Sequence, residues 1–519
     1  MKVTFYLESL MFSFGAARWW ALGAVSLNVL AVSLDGTVLS VALPTLARSL
    51  HATESDLEWF SAGYLLVLAA AVLPAGLIGD RFGRKATMLV SLGLFGIGSA
   101  WCAYAPSPGW FLAARLLMGV AGAGITVMAL SALTVLFGES ERARAVGIYQ
   151  AANFLALPLG PILGGWMLSH LWWGWMFLLN VPIVLAGLVV GAALVPESKA
   201  SRRPGLDPVG VTASAVGLVA LTYGLIEAGQ RGWTDAIAGS AMAAGVLALA
   251  GFFGWERYLA RSGGQPMIDP ELFRSRAFTA GATLGGLVGM GMVGLLFTMP
   301  QYFQAVAGTD ALGSGLRLLP LVGGLIAGAL PAAWCTRTIG AKVTVVLGFG
   351  LTAVGAGLGA TTGTGSGTGF VAAWMAIMCA GTGLALSAVT SVAVGTLTAE
   401  RSGIGSAVVQ AFQKTSAPLG TAILGSVVAA DYRGRLDLTG LPPAAADTVR
   451  SGVHGGLEVA RRTPSPGFAA MVQDAFVHGV DMSMLVAAGI AVAGAVAAQV
   501  FLPGARAPEP AAPQESHAV

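Results

Sequence analysis

Charge is what this sequence has least of. Of its 519 residues only 10% are Asp, Glu, Lys or Arg, against roughly 25% in ordinary soluble proteins. With 55% hydrophobic side chains and a mean hydropathy of +0.76, there is too little polar surface to clothe a soluble globule. Cysteine is scarce as well. Cys102, Cys335 and Cys379 fall in or beside apolar segments far apart in sequence, which gives neither a disulfide frame nor a metal site, and the five histidines lack ligand spacing. There is no Gly-Lys-Ser/Thr phosphate loop, so a single-chain ATP-driven pump is excluded and the energy source lies elsewhere. A formal charge of +3 is too small to imply nucleic acid. No intramembrane nucleophile, metal set or carboxylate pair is present, so no catalytic residue and no enzymatic activity is expected.

What the sequence does have is long apolar runs and 73 glycines, which let membrane helices approach closely. Windows of about 20 apolar residues predict fourteen spans, near 19–43, 57–78, 86–104, 110–137, 146–168, 175–195, 209–226, 237–258, 278–303, 312–334, 343–361, 370–397, 404–430 and 476–502. An even number puts both ends on one side. With the amino end inside, the loops bearing Arg81, Arg84 and Lys85, Arg142 and Arg144, Lys199, Arg202 and Arg203, Arg257 to Arg276, Arg337 and Lys342, and Arg401 all face the cytoplasm, as the positive-inside rule requires. The chain reads as an all-α polytopic protein of the cell (inner) membrane with both termini cytoplasmic.

The second half faintly repeats the first. Arg81-Phe82-Gly83-Arg84-Lys85 follows the second span and Thr338-Ile339-Gly340-Ala341-Lys342 the tenth. Two six-helix bundles with a helix pair inserted between them explain this spacing, and such repeats are the signature of secondary transporters. The expected organisation is a cytoplasmic lead-in over 1–18 without a cleavage site, a first bundle over 19–200, the inserted pair over 201–260, a second bundle over 261–503, and a Pro/Ala-rich disordered cytoplasmic tail over 504–519. Within the second bundle, 431–474 reads as a solvated external connector rather than a substrate lid.

Three stretches carry chemistry. Asp35 lies inside the first span, in Leu34-Asp35-Gly36-Thr37-Val38, where an ionised carboxylate needs a partner or a proton. Arg115, in Leu112-Ala113-Ala114-Arg115-Leu116-Leu117-Met118-Gly119 of the inward-running fourth span, lies at a matching depth, about 8 Å below the outer end against about 10 Å for Asp35 at 1.5 Å per residue. A pair between them lowers the cost of burying both, and protonation of Asp35 releases the arginine. Between the second and third spans stands Gly76-Leu77-Ile78-Gly79-Asp80-Arg81-Phe82-Gly83-Arg84-Lys85. Its glycines permit a tight turn and close helix approach, while Asp80 and the three bases can form ion pairs in one conformation and lose them in another. In the fifth span, Ala156-Leu157-Pro158-Leu159-Gly160-Pro161-Ile162-Leu163-Gly164-Gly165 combines kinking prolines with a flat glycine face.

The loop from Gly76 to Lys85 resembles the signature loop of the major facilitator superfamily. The Asp35 run, Arg115 and the fifth-span motif resemble its fourteen-span drug:proton antiporter branch, over essentially the whole chain. The resemblance implies two bundles rocking about a central cavity, with Gly76, Gly79, Asp80, Arg81, Gly83, Arg84 and Lys85 as a conformational latch. It also carries a proton-relay role onto Arg115, although Met118 replaces the glutamine usual there. Gly160, Pro161, Gly164 and Gly165 match a motif associated with exporters, with Ala156 in place of its first glycine.

Polar residues within spans mark a candidate substrate cavity: Asn28, Asn153, Gln410 and Lys414. Lys414 lies about 15 Å deep in the thirteenth span, and three readings stand for it: a substrate contact, an internal charge partner, or polar packing against cavity water. Glu227 is expected to hydrate near the outer surface, and His478 with Asp481 to form a surface pair. The expected activity is proton-coupled efflux of small amphipathic drugs or antibiotics by a monomer in the lipid bilayer, driven by the proton gradient without a cofactor. A proton symporter or exporter of an endogenous metabolite is the alternative, and a membrane sensor the more distant one.

Overall fold

The computed structural model describes residues 2–52, 54–199, 207–264, 266–268, 270–309, 311–398, 401–450, 452–462 and 467–503, and among these there are helices and turns but no strand. The first group of helices is α1 (Lys2–Leu50), α2 (Glu54–Phe82), α3 (Arg84–Ala103), α4 (Pro108–Leu136), α5 (Glu139–His170), α6 (Trp175–Leu178) and α7 (Asn180–Leu194). Then come α8 (Pro208–Arg231) and α9 (Ala236–Arg261), joined by a four-residue turn capped by Asp235, whose carboxylate accepts from the Ile237 and Ala238 amides. The last group is α10 (Arg276–Ala305), α11 (Ala311–Arg317), α12 (Leu319–Ala329), α13 (Ala332–Ile339), α14 (Ala341–Gly359), α15 (Thr368–Gly395), α16 (Ser402–Gly434), α17 (Pro443–Arg450), α18 (Val453–Arg462) and α19 (Phe468–Phe501). The Arg202–Arg203 linker and the 504–519 tail lie outside the described residues.

All fourteen stretches expected to span the bilayer are helical, and among the described residues twelve helices or helix runs are long and apolar enough to cross a membrane by that measure alone. The remaining two, α5 and α16, have 32 and 33 residues. They carry Gln150 and Asn153, and Gln410, Gln413 and Lys414, in mid-helix. Each is the fifth rod of its group, and each packs across to the other group, α5 against α12 and α15 and α16 against α2 and α4. A helix facing protein and an internal cavity need not be apolar all round. The tenth span is not one rod either: α11, α12 and α13 break at Leu318 and again at Leu330–Pro331, where proline removes a donor.

Two clusters of buried hydrophobic residues form the core. One is built chiefly on α1 to α5, the other on α10 to α19, and each fifth helix contributes to both. Ile404, Ala407 and Val408 of α16 belong to the first, and Ala151 and Phe154 of α5 to the second. The inserted pair does not float beside the bundles. α8 packs on both α2 and α16, and Trp233 Nε1 donates to Ser426 Oγ of α16 at 2.8 Å. α9 turns Val246 and Leu247 outward, as a lipid-facing helix does. The 431–474 segment is more ordered than a solvated connector: α17 and α18 bury Val449 and Val453, and Tyr432 Oη donates to the Val449 carbonyl at 3.0 Å.

Candidate functional site

Asp35 and Arg115 meet. α1 and α4 cross in the interior of the first bundle, where Arg115 Nη1 forms an ion pair with Asp35 Oδ2, and the two residues are 1% and 3% exposed, Arg115 the lower. Because neither charge reaches water, each is the other's principal solvent, and an arginine left here alone would be a buried uncompensated cation. The rest of the guanidinium is held by α2. Nε donates to the Phe60 carbonyl at 3.2 Å, and Cζ lies 4.3 Å from the centroid of the Tyr64 ring, within cation–π range. Asp35 Oδ1 lacks a hydrogen bond of good geometry among the described residues, with the Asn180 side chain as its polar neighbour. Met118 sits among sulfur and hydroxyl groups, 3.6 Å from Cys102 Sγ and 3.8 Å from Ser99 Oγ.

The glycine face of α5 closes on α1 one turn beyond this pair. A Cβ at Gly160 would collide with Thr37, and one at Gly164 would lie 3.1 Å from Met176 Cε and 3.6 Å from Val38. Gly165 meets nothing within 4 Å. Thr37 Oγ1 donates to the Ala156 carbonyl at 3.1 Å, and Ser33 Oγ to Asn153 Oδ1 at 2.5 Å. The motif therefore locks the Asp35 segment of α1 to α5 over two turns. The side chains of Pro158 and Pro161 lie outside the described set.

At one end of the molecule the two bundles touch through the loop between α2 and α3. Arg84 Nε and Nη2 donate to Asp80 Oδ1 at 2.8 and 2.6 Å. The same carboxylate accepts from the backbone amides of Gly403 and Ile404, at 3.1 and 2.9 Å, at the first turn of α16. A carboxylate belongs there because a helix start presents unpaired N–H groups and a positive dipole end. Gly76 brings the helices together, since a Cβ would stand 2.7 Å from that of Ala407. A Cβ at Gly79 would strike Met128 of α4, and Gly83, at φ +118°, takes a backbone conformation that favours glycine. Lys85 Nζ donates to the Ala192 carbonyl at 2.6 Å, and the Arg81 guanidinium lies 5.6 Å from the Phe82 ring centroid. Further along the seam, Ser131 and Ser402 hydroxyls are 2.9 Å apart, Arg142 Nη1 donates to the Gly395 carbonyl at 3.4 Å, and Gln410 Nε2 donates to Tyr149 Oη at 3.0 Å.

Toward the other end α2 and α16 part, and a cavity of about 1000 Å3 opens between them, walled at the side by α8. Lys414 lines it, one turn along α16 from Gln410. Trp59 and Leu65 of α2, Gln301 of α10 and Glu227 of α8 face the same space. Of the four polar residues expected at a cavity, Lys414 alone lines this one. Asn28 is buried against Gly187 of α7, where a Cβ would collide with it; Asn153 is held by Ser33, and Gln410 bridges the bundles. Glu227 is 8% exposed and lines the cavity instead of hydrating at a surface. Arg450 and Val453 of the 431–474 segment also line the cavity, so the segment is more than a plain connector. His478 pairs with Asp431 across to α16 at 2.7 Å, with Arg435 Nη2 2.7 Å from its other ring nitrogen, and not with Asp481.

Several partners escaped the sequence reading. Glu197, beyond the end of α7, accepts from the Lys85 and Ala86 amides at 3.2 Å each and caps α3. Nothing in its local sequence marks it, because its role exists only once α3 and α7 are adjacent. Tyr64 and Tyr149 had a usable signal: a phenol inside an apolar span needs a partner for its hydroxyl.

The family model of the Major Facilitator Superfamily matches residues 25–421. Among similar curated proteins, the tetracenomycin C resistance and export protein of Streptomyces glaucescens is 31% identical over 510 residues, covering 95% of this chain and 93% of that protein. The multidrug efflux pump LfrA of Mycolicibacterium smegmatis is 31% identical over 483 residues, covering 92% and 95%. Among solved structures, the proton:xylose symporter XylE superposes with a TM-score of 0.63 at 15% identity, covering 94% of this chain and 97% of that one, a likeness of fold alone.

Proposed function

The chain belongs to the major facilitator superfamily, and from that premise we propose that it exports amphipathic drugs or antibiotics across the inner membrane in exchange for protons. Relatives named for tetracenomycin C export and for multidrug efflux, each matched over nearly its whole length, support the substrate class. The observation that carries the coupling is the isolated Asp35–Arg115 pair, sealed from water and joined through α1 to the glycine face of α5.

In this reading the Asp80 end is cytoplasmic and closed, the Trp59 end is external and open, and both termini are cytoplasmic. A proton arriving from outside neutralises Asp35. Arg115 then loses its counter-charge inside the bundle, which destabilises this arrangement of α1 and α4 relative to one that gives the arginine new partners. That shift passes through the Thr37–Ala156 contact to α5, which packs across the seam. Gly76 to Lys85 acts as the latch: opening the cytoplasmic side removes the Asp80 carboxylate from the α16 amides and leaves Arg84 as its partner. Substrate entering from inside favours the deprotonated carrier, so each ligand displaces the other. The protein works as a monomer, and the electrochemical proton gradient drives it.

The test is proton release. Adding a transported compound to detergent-solubilised protein in weak buffer releases protons from the wild type and none from Asp35→Asn. Release that persists in the variant would remove Asp35 from the coupling step.

A further inference from the structure

The cavity between α2, α8 and α16 has an uneven charge. Lys414 stands at its inner end and makes no ion pair or hydrogen bond among the described residues. Arg433 and Arg450 stand toward the mouth, Arg450 3.1 Å from Asp447 Oδ1. Against these three cations the described lining holds one carboxylate, Glu227 on α8, which interacts elsewhere but whose Oε2 is buried without a hydrogen bond among the described residues. Asp35 is not part of the lining and is already paired with Arg115. Around the lysine the walls are apolar, from Leu65, Leu66 and Ala69 of α2 to Pro418 and Ala422 of α16, with Trp59 and Phe476 as aromatic surfaces.

An ammonium group lining a largely apolar pocket, with no counter-ion of its own among the described residues, is stabilised by a counter-charge brought in from outside the protein. A cationic amphiphile would meet it with like-charge repulsion in a medium of low dielectric, where such repulsion is large. We propose that the substrates of this site are amphipathic anions, an aromatic or aliphatic body with one ionised acid such as a carboxylate, phenolate or sulfonate, and that Lys414 is the residue that selects for the charge. This rests on the exporter reading above and refines it.

The assignment has a consequence for energetics. Export of a monoanion in exchange for one proton moves negative charge out and positive charge in, so each cycle carries two charges inward. A membrane potential negative inside then drives it, whereas one-for-one exchange of a monocation for a proton is electrically silent.

The experiment compares three probes in proteoliposomes holding the purified full-length chain: anilinonaphthalene sulfonate, its uncharged parent N-phenylnaphthylamine, and ethidium. Each is followed under an imposed pH gradient with and without a potassium-diffusion potential. The wild type is expected to transport the sulfonate in preference to its parent and to do so faster when the potential is imposed. In Lys414→Gln the ratio of sulfonate to parent transport falls about tenfold, the size of one charge interaction of about 1.4 kcal/mol, and Lys414→Arg restores it. Transport of ethidium but not of the sulfonate overturns the anion assignment and leaves the exporter reading standing. An unchanged ratio in Lys414→Gln overturns the role of the lysine. If no probe moves, the exporter reading fails, and this inference fails with it.

Discussion

The two ends of the α2–α16 contact are built from the same pair of helices and behave oppositely. At the Asp80 end, Gly76 admits Ala407, one carboxylate ties two backbone amides of α16 to Arg84, and the Ser131–Ser402 and Gln410–Tyr149 contacts complete the closure. At the Trp59 end, larger side chains and a lysine face a cavity of about 1000 Å3. Directional hydrogen bonds to backbone, released or remade as units, suit a gate that must have two discrete states. Largely apolar walls with a few charges suit a surface that must accept more than one molecular shape. The pair of helices thus divides labour along its length, glycine and carboxylate for closing, bulk and cation for binding.

The comparison can be broken most severely away from both ends. Asp35→Asn mimics the protonated carboxyl permanently, so proton-driven efflux in inverted vesicles is expected to fall about a hundredfold or more, equivalent to about 3 kcal/mol in the transport barrier. Facilitated downhill movement of the same compound should survive better than uphill transport, and equal loss of both would point to misfolding. Next in size, Gly76→Leu forces bulk into the closed end, at about 1–3 kcal/mol for overpacking. A cysteine replacing Ala407, in a background with Cys335 changed to Ser, should be inert to a water-soluble maleimide in the parent and reactive in the Gly76→Leu variant. A cysteine at Ala422, in the cavity wall, should react in both. Equal reactivity of the two positions in the parent would erase the distinction between the ends.

Asp80→Asn keeps the shape of the latch and removes its charge. Charge-assisted bonds to the α16 amides weaken by about 1 kcal/mol, and transport is expected to slow several-fold with the Ala407 position partly exposed to reagent. Smallest is Gly83→Ala, which places a Cβ at φ +118° against Glu197. A cost of about 1 kcal/mol should appear as a fall of a few degrees in the detergent-solubilised melting temperature, with the transport rate less affected than in Asp80→Asn. The same substitution at Gly340, φ +85°, is the control, because a chain that meets the turn in both repeats should be sensitive at both.

That repeat also shows how far sequence reading reaches. Gly83 and Gly340 were visible as matching turns, and both adopt positive φ. Counting back three residues from each glycine reaches Asp80 in one repeat and the exposed Arg337 in the other. Only the first repeat can therefore receive a helix start on a carboxylate, and only the structure shows that the helix received is α16, 323 residues away from Asp80 to Gly403. The Asp35–Arg115 pairing was legible because both charges sit in apolar runs at matched depths, and burial leaves such charges few options. Asn28, Asn153 and Gln410 looked equivalent to Lys414 in sequence, yet three face protein and one faces the cavity. Helix periodicity specifies spacing along a rod, not which neighbour stands opposite each face.

What the sequence determined by itself is the membrane class, the helices and the buried Asp35 and Arg115, because hydrocarbon penalises unpaired polar groups so heavily that the pattern must declare them. Tertiary structure decided the rest: that α5 and α16 each contribute to both cores, that α8 walls the cavity, that the 431–474 segment helps to line it, and that Lys414 faces it. These outcomes depend on which helix faces meet across the seam, and contacts between residues hundreds apart leave no periodic mark in either partner's sequence.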